Sequence, residues 1–263
     1  LTFLLTKTPK RVFFCMVFLA LLGPGIGAAE TDAELLKQAD ALVSYPGTDF
    51  YAEYTLVLDK PGQGRTTTVA AVFRRDSRET YVIIILEPLA TKGQGYLKQR
   101  NTLWFYDPQS RRFNSTSSQD RFQNTNARNS DFTRSNLAGD YKIISGEDAV
   151  LGRFQCRLLT LEAVHDDVTY PRMKIWISDD GLVRKSEDYS LSGQLLRTSA
   201  IPDYYQIGDK YIPKRILFVD ALRGAMIDGK FVNEKTQITI NNPSFEGIPN
   251  SVFSKTFLES VNQ

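Results

Sequence analysis

Lys174-Ile175-Trp176-Ile177-Ser178-Asp179-Asp180-Gly181-Leu182-Val183-Arg184 decides the fold. An apolar run ends at Asp179-Asp180-Gly181, and a second run starts directly behind it. An Asp-Gly step between two such runs is a strong short-range hairpin signal. The two predicted strands, Arg172 to Ser178 and Leu182 to Ser190, belong to a longer meander. Phe154 to Glu162 precedes them across the turn His165-Asp166-Asp167, and Gln194 to Ile201 follows across Ser192-Gly193.

The pattern extends both ways. Upstream, Tyr51 to Leu58 alternates and pairs with Thr66 to Arg74 across Lys60-Pro61-Gly62-Gln63-Gly64. Tyr81 to Leu86 is apolar on both faces and reads as a central strand. Gly95 to Gln99, Leu103 to Tyr106 and Arg111 to Asn114 follow, and Tyr141 to Ser145 resumes after a long gap. Downstream come Tyr204 to Ile207, Pro213 to Asp220 and Lys235 to Asn241. Roughly ten or more strands at hairpin spacing favour a barrel or sandwich over a parallel α/β fold. Helices are expected at both ends. Thr31 to Val43 has an N-cap candidate in Thr31, acids in its first turn and a stop at Tyr45-Pro46-Gly47. Phe253 to Val261 is a short closing helix.

Ser115 to Asp140 breaks the pattern, being rich in Ser, Asn, Gln and Arg. A stretch this long inside one domain is usually functional or disordered. Thr133 to Leu137 is expected to form one helical turn capped by Thr133. Phe122, Phe132 and Leu137 are the main apolar anchors of the stretch.

The first residues read as an export signal. Lys7, Lys10 and Arg11 precede the apolar run Val12 to Leu22, and Gly27-Ala28-Ala29 supplies small residues for cleavage. The run is shorter than the ~20 residues of a spanning helix, and Pro24-Gly25 interrupts it. Residues 1–29 are therefore expected to be a signal peptide cleaved near Ala29, with retention as an anchor left open. Residues 30–263 are expected to form one domain in a periplasm or an equivalent space. The chain carries 32 basic and 30 acidic residues. Taking away the three basic residues of the leader brings that balance near neutrality, so nothing calls for nucleic acid. Cys156 is then left without a thiol partner, and a buried strand residue is its plain reading.

Chemical equipment is sparse. His165 is the only histidine and sits in a turn, far from the companions that a triad or zinc site needs. Asp166-Asp167 and Asp179-Asp180 are turn formers before they are acid–base pairs. Ser130-Asp131 has no base in reach. No catalytic residue, metal or cofactor is expected. The aromatic residues lie mostly in strands. A sheet of this length with two short helices must close on itself or leave a cavity, and an apolar cavity takes apolar guests.

Ser130-Asp131-Phe132-Thr133 followed by Leu137 and a strand resembles a segment of bacterial outer-membrane lipoprotein-sorting proteins, relatives of the periplasmic LolA/LolB lipoprotein carriers. Further pieces match in order along nearly all of residues 30–263. They are Lys174 to Ser178, Glu187-Asp188-Tyr189 before Ser192-Gly193-Gln194-Leu195-Leu196, Asp203-Tyr204, Ile212-Pro213, and Ile248 to Ser254. The resemblance implies a mainly β fold: a curved antiparallel sheet forming an incomplete barrel, lidded by short helices and a long loop. It implies a carrier that holds acyl chains of lipoproteins or phospholipid between the inner and outer membranes and meets membrane proteins only transiently. The alternatives are an envelope sensor or scaffold of the same fold and, less favoured for want of a base and nucleophile, a lipid-acting hydrolase. Taking the more apolar face of each strand places Tyr54, Leu56, Leu58, Val69, Ala71, Phe73, Ile83, Ile85, Trp104 and Trp176 in the cavity. Phe122, Phe132 and Leu137 belong to the lid. A slip of one residue would turn any of these sets outward.

Overall fold

The computed structural model describes residues 31–261. The expected signal, with Lys7, Lys10, Arg11 and the cleavage site near Ala29, lies outside the described residues. The first element is α1 (Asp32–Leu42). Thr31 caps it. Its hydroxyl accepts from the Glu34 N–H at 3.2 Å, and the Glu34 carboxylate accepts from the Thr31 N–H at 3.0 Å. Such a cap stabilises a helix by about 1 kcal/mol. Leu36 and Ala39 are the buried face of α1.

Fifteen strands follow among the described residues. They are β1 (Asp49–Lys60), β2 (Gly64–Arg75), β3 (Thr80–Glu87), β4 (Gly95–Gln99), β5 (Thr102–Asp107), β6 (Arg112–Thr116), β7 (Tyr141–Leu151), β8 (Phe154–Ala163), β9 (Arg172–Ser178), β10 (Val183–Tyr189), β11 (Leu195–Ala200), β12 (Tyr204–Ile207), β13 (Lys210–Pro213), β14 (Arg215–Ile227) and β15 (Lys230–Ser244). Two further helices are short: α2 (Leu137–Asp140) and α3 (Lys255–Ser260). Thirteen strands form one antiparallel sheet in the order β6-β5-β4-β3-β2-β1-β15-β14-β11-β10-β9-β8-β7, and β12-β13 forms a separate hairpin. The sheet does not close, because β6 and β7 remain its two edges. An incomplete barrel is thus the architecture.

Apolar residues gather on both faces. On the inner face, Phe50, Tyr54, Leu56, Val72, Ile83, Ile85, Ile238 and Ile240 join Phe122 and Phe132 in one cluster. Toward β7, Leu159, Leu161, Ile175 and Ile177 pack under Leu36 and Ala39 of α1. On the outer face, Val82, Ile84, Leu97 and Tyr106 pack under Phe253 and Leu258 of the C-terminal segment. β3 serves both faces, which explains its uninterrupted apolar run. Gly95 on β4 makes the outer contact possible: a Cβ there would lie 2.5 Å from Leu258 Cδ2.

Two sequence expectations need correction. Thr133 caps no helix. A 3-10 turn at Asn129–Phe132 precedes it, and α2 starts only at Leu137, because Asp40 accepts the N–H groups of Leu137 and Ala138 at 2.9 and 2.8 Å. Residues 221–234, read as no strand at all, continue β14 and β15 into a hairpin turning at Asp228-Gly229. Both turn residues have positive φ, 49° and 76°, as a two-residue turn with the twist of its strands requires.

Candidate functional site

The segment after β6 crosses the inner face as a plug. Phe122 and Phe132 meet at 4.5 Å between ring centroids with their planes tilted by 48°, Phe122 meets Tyr96 at 4.9 Å, and Phe132 meets Tyr54 at 5.8 Å. Both phenylalanines are fully or almost fully buried. Each such burial stabilises by about 1.5–3 kcal/mol. Polar bonds fix the rest of the segment. The Asn126 N–H donates to Thr236 Oγ1 at 2.9 Å, Tyr81 donates to the Asn129 carbonyl at 3.2 Å, and Arg121 pairs with Asp220.

The strongest tie starts from the sheet. β10 and β11 point polar residues inward: Arg184, Ser186, Asp188, Arg197 and Ser199 are all buried. Asp188 and Arg197 are direct cross-strand partners, as are Ser186 and Ser199. Arg197 Nε donates to Asp188 Oδ2 at 2.8 Å. Its two terminal nitrogens grip Asp131 in the plug, at 2.6 and 3.0 Å, and Nη1 also donates to the Asn126 carbonyl at 3.3 Å. The Phe218 ring lies 4.3 Å and the Tyr170 ring 4.8 Å from the guanidinium carbon. Burial works against the charge of Arg197, but Asp131 and Asp188 outweigh it and raise its pKa. Burial pushes the Asp188 carboxyl up, with Arg197 opposing. The guanidinium is saturated by its own chain, so its role here is to hold the plug.

Beside the plug lies a cavity of about 570 Å³. Its lining includes Tyr54, Phe218, Ile238 and Ile240 of the sheet, Ala39 and Val43, residues 130–137, Tyr204 and Ile212, and charged groups such as Lys98 and Asp140. Its floor includes Ser186 and Ser199, which sit in the row between Ile175 and Phe218. Small side chains in an otherwise bulky row leave the space. Arg74 lines the cavity next to Asp76 at 2.7 Å and lies over the Tyr45 ring at 4.7 Å. Burial pushes the Tyr54 hydroxyl up to about 12, so it stays neutral at ordinary pH. A volume of this size suits one small ligand.

The expected cavity residues divide into three groups. Tyr54 lines the cavity, as do Phe132 and Leu137 of the expected lid. Leu56, Leu58, Ile83 and Ile85 lie on the same face and are buried, yet they do not line the cavity; nor does Phe122 of the lid, which shares a core cluster with Leu56, Ile83 and Ile85. Val69, Ala71, Phe73, Trp104 and Trp176 face the other way. Tyr54 pairs with Ala70 and Ala52 with Val72, so the even positions of β2 point inward. Phe73 packs on Phe257 behind the sheet. Trp104 pairs with Leu97 and is covered by Lys255, its Nζ 3.4 Å from the ring centroid; Trp176 pairs with Lys185, whose Nζ lies 4.2 Å from its ring. The residues missed by sequence reading are Ser186, Ser199 and Arg197. Arg184 to Asp188 are all polar, so no alternation in the sequence tells which of them point inward.

Among the described residues no three His, Cys, Asp or Glu side chains gather as a metal site. Cys156 is buried, and burial raises its thiol pKa. No described helix is long and apolar enough to cross a membrane.

Residues 77–260 match the model of a family described as uncharacterized protein. The chain belongs to that family. No curated protein matches the sequence. Solved structures share the fold. A LolA superfamily protein from Nitrosomonas europaea superposes with a TM-score of 0.73 at 24% identity, over 87% of this chain and 100% of the other. A putative outer membrane lipoprotein-sorting protein domain from Vibrio parahaemolyticus gives 0.75 at 18% identity, over 86% and 97%. A third, from Desulfovibrio piger, gives 0.74 at 16%, again over 86% and 97%. The resemblance drawn from sequence is thus matched in structure: the fold is that of LolA superfamily proteins and lipoprotein-sorting domains.

Proposed function

We propose that the chain is a periplasmic carrier that takes an acyl chain of a lipoprotein or lipid into the inner-face cavity and moves it between the inner and outer membranes, without cofactor or bond chemistry. The cavity carries this reading. Its lining joins apolar side chains such as Tyr54, Phe132, Phe218, Ile238 and Ile240 to polar ones such as Arg74 and Asp131, as an amphiphile requires, and it is set in a lipoprotein-sorting fold. An acyl chain of about sixteen carbons exposed to water costs roughly 13 kcal/mol, at about 0.8 kcal/mol per methylene. A carrier must hide that surface and still give it up. Phe132, which lines the cavity, acts as a resident substitute for the guest. Displacing it takes back about 1.5–3 kcal/mol of its own burial, which keeps net affinity within a releasable range. The polar tie from Arg197 to Asp131 sets where the plug returns.

The test is native mass spectrometry and lipid extraction of the purified protein, with titration of a fluorescent fatty acid. A bound amphiphile that the fatty acid displaces is the expected result. No bound amphiphile and no fatty-acid binding would sink the reading.

A further inference from the structure

Beyond Asp220 and Lys235 the sheet ends on both sides. β11 last meets β14 at Arg197 and Asp220, and β1 last meets β15 at Asp59 and Lys235. From Gly224 opposite Asn233 to Ile227 opposite Lys230, β14 and β15 pair with each other and with no third strand among the described residues. The result is a two-stranded ribbon projecting from the sheet. Its base is fixed. Asp220 Oδ1 accepts the N–H groups of Leu222 and Arg223 at 2.9 and 2.8 Å, and Asn233 Nδ2 donates to the Asp220 carbonyl at 2.7 Å.

The ribbon carries its apolar side chains in water. Met226 is 63% exposed, Leu222 52% and Phe231 51%, and Ile227 lies at the same tip. Met226 and Phe231 are direct cross-strand partners, so they project on one face. Arg223 and Lys230 flank them and are exposed. The β1–β2 turn stands alongside, with Gly62 near Ile227 and with Lys60 and Arg65 at its ends. Of the acids here, Asp59 is paired with Arg65 at 3.0 Å, and Glu234 is buried with Arg223 at 3.8 Å. Asp228 at the turn is the exposed one.

We infer that this ribbon is a membrane-docking element, inserting Met226, Ile227 and Phe231 into the interface of an anionic bilayer. The geometry favours a bilayer over a protein. Two strands about 5 Å apart offer far less than the roughly 800 Å² that each partner buries in a stable protein interface. A lipid surface needs no complementary shape. Apolar tips bordered by Lys and Arg match the pairing of acyl boundary and anionic headgroup. The inference stands apart from the cavity, since docking needs no cargo.

Co-sedimentation with vesicles tests it. The purified protein is expected to pellet with phosphatidylethanolamine–phosphatidylglycerol vesicles and to remain in solution with phosphatidylcholine vesicles. Met226→Ser/Phe231→Ser and, separately, Arg223→Glu/Lys230→Glu should each lower that partition by at least about tenfold, with unchanged circular dichroism. The fluorescence that Phe231→Trp adds to the parent spectrum should be quenched by brominated lipid in the same vesicles. Fatty-acid binding by the Met226→Ser/Phe231→Ser protein should match the parent, which separates docking from the cavity. Wild-type protein that stays in solution with both vesicles, a serine variant that pellets like the parent, or a Phe231→Trp protein whose added fluorescence escapes quenching overturns the inference.

Discussion

Arg197 on β11 reaches across the inner face and grips Asp131 of the plug with both terminal nitrogens, at 2.6 and 3.0 Å, while its Nε holds Asp188 at 2.8 Å. One guanidinium therefore joins the sheet to the segment that covers it. Burying such a cluster is weak evidence for stability, but removing one member leaves an unpaired buried charge.

Arg197→Leu is expected to cost about 3–5 kcal/mol in urea unfolding, because fully buried Asp188 loses its partner. Adding Asp188→Asn should return part of that loss. Hydrogen exchange in residues 120–132 should rise in both proteins. A cost under about 1 kcal/mol, or unchanged exchange there, counts against the tie.

Ser199→Phe should abolish fatty-acid binding with a stability change of about 1–3 kcal/mol, since its side chain enters the cavity floor. Leu56→Ala and Ile85→Ala should do the reverse. Both residues are fully buried core outside the cavity lining, so each costs about 2–5 kcal/mol while the folded fraction binds as before. Equal binding losses in all three would place the guest elsewhere.

Two carboxylates give the acid response a sign. The hydrogen bond from Arg75, outweighing burial, holds the Asp49 carboxyl below its usual range. At Asp220 burial works against the charge, but bonds from Arg121 and the backbone of Leu222 and Arg223 prevail, and its pKa is also lowered. A lowered folded pKa contributes stability that is present above the unfolded value of about 3.9 and is lost as pH falls through the folded value. Thermal melts from about pH 7 down to about pH 2 should therefore show a steeper acid loss in the parent than in Asp49→Asn or Asp220→Asn. Parallel curves would exclude these pairs as the source.

Gly95→Val should destabilise by about 1–3 kcal/mol through collision with Leu258, and Leu258→Ala by about 2–5 kcal/mol. Neither should change fatty-acid affinity, because both act on the outer face. A shift in affinity would show that the two faces are coupled.

The hairpin chemistry was readable. Asp179-Asp180-Gly181, the capped start at Thr31 and the alternation of Tyr54, Leu56 and Leu58 all foreshadow what forms. β2 was not readable by the same rule. Val69 to Phe73 is apolar at successive positions because Val72 serves the inner core and Phe73 the outer one, so choosing the bulkier set selects the wrong face. Trp104 and Trp176 mislead for a related reason, as large outward aromatics each covered by a lysine. The floor of the cavity escaped because bulk was taken as its signature. Bulky residues fill space, whereas Ser186 and Ser199 create it. The ribbon at 221–234 escaped because no neighbouring strand imposes an inside and an outside on it.

The outer cluster of Phe253, Leu258, Leu97 and Val82 has a consequence for how such a protein changes over time. It secures the chain from behind, independently of what occupies the front. That second anchorage leaves small floor residues such as Ser186 and Ser199, which belong to neither apolar cluster, freer to vary than Phe132 or Arg197. Substitutions there can adapt the protein to a different guest, while selection for foldability acts on the packed clusters of both faces.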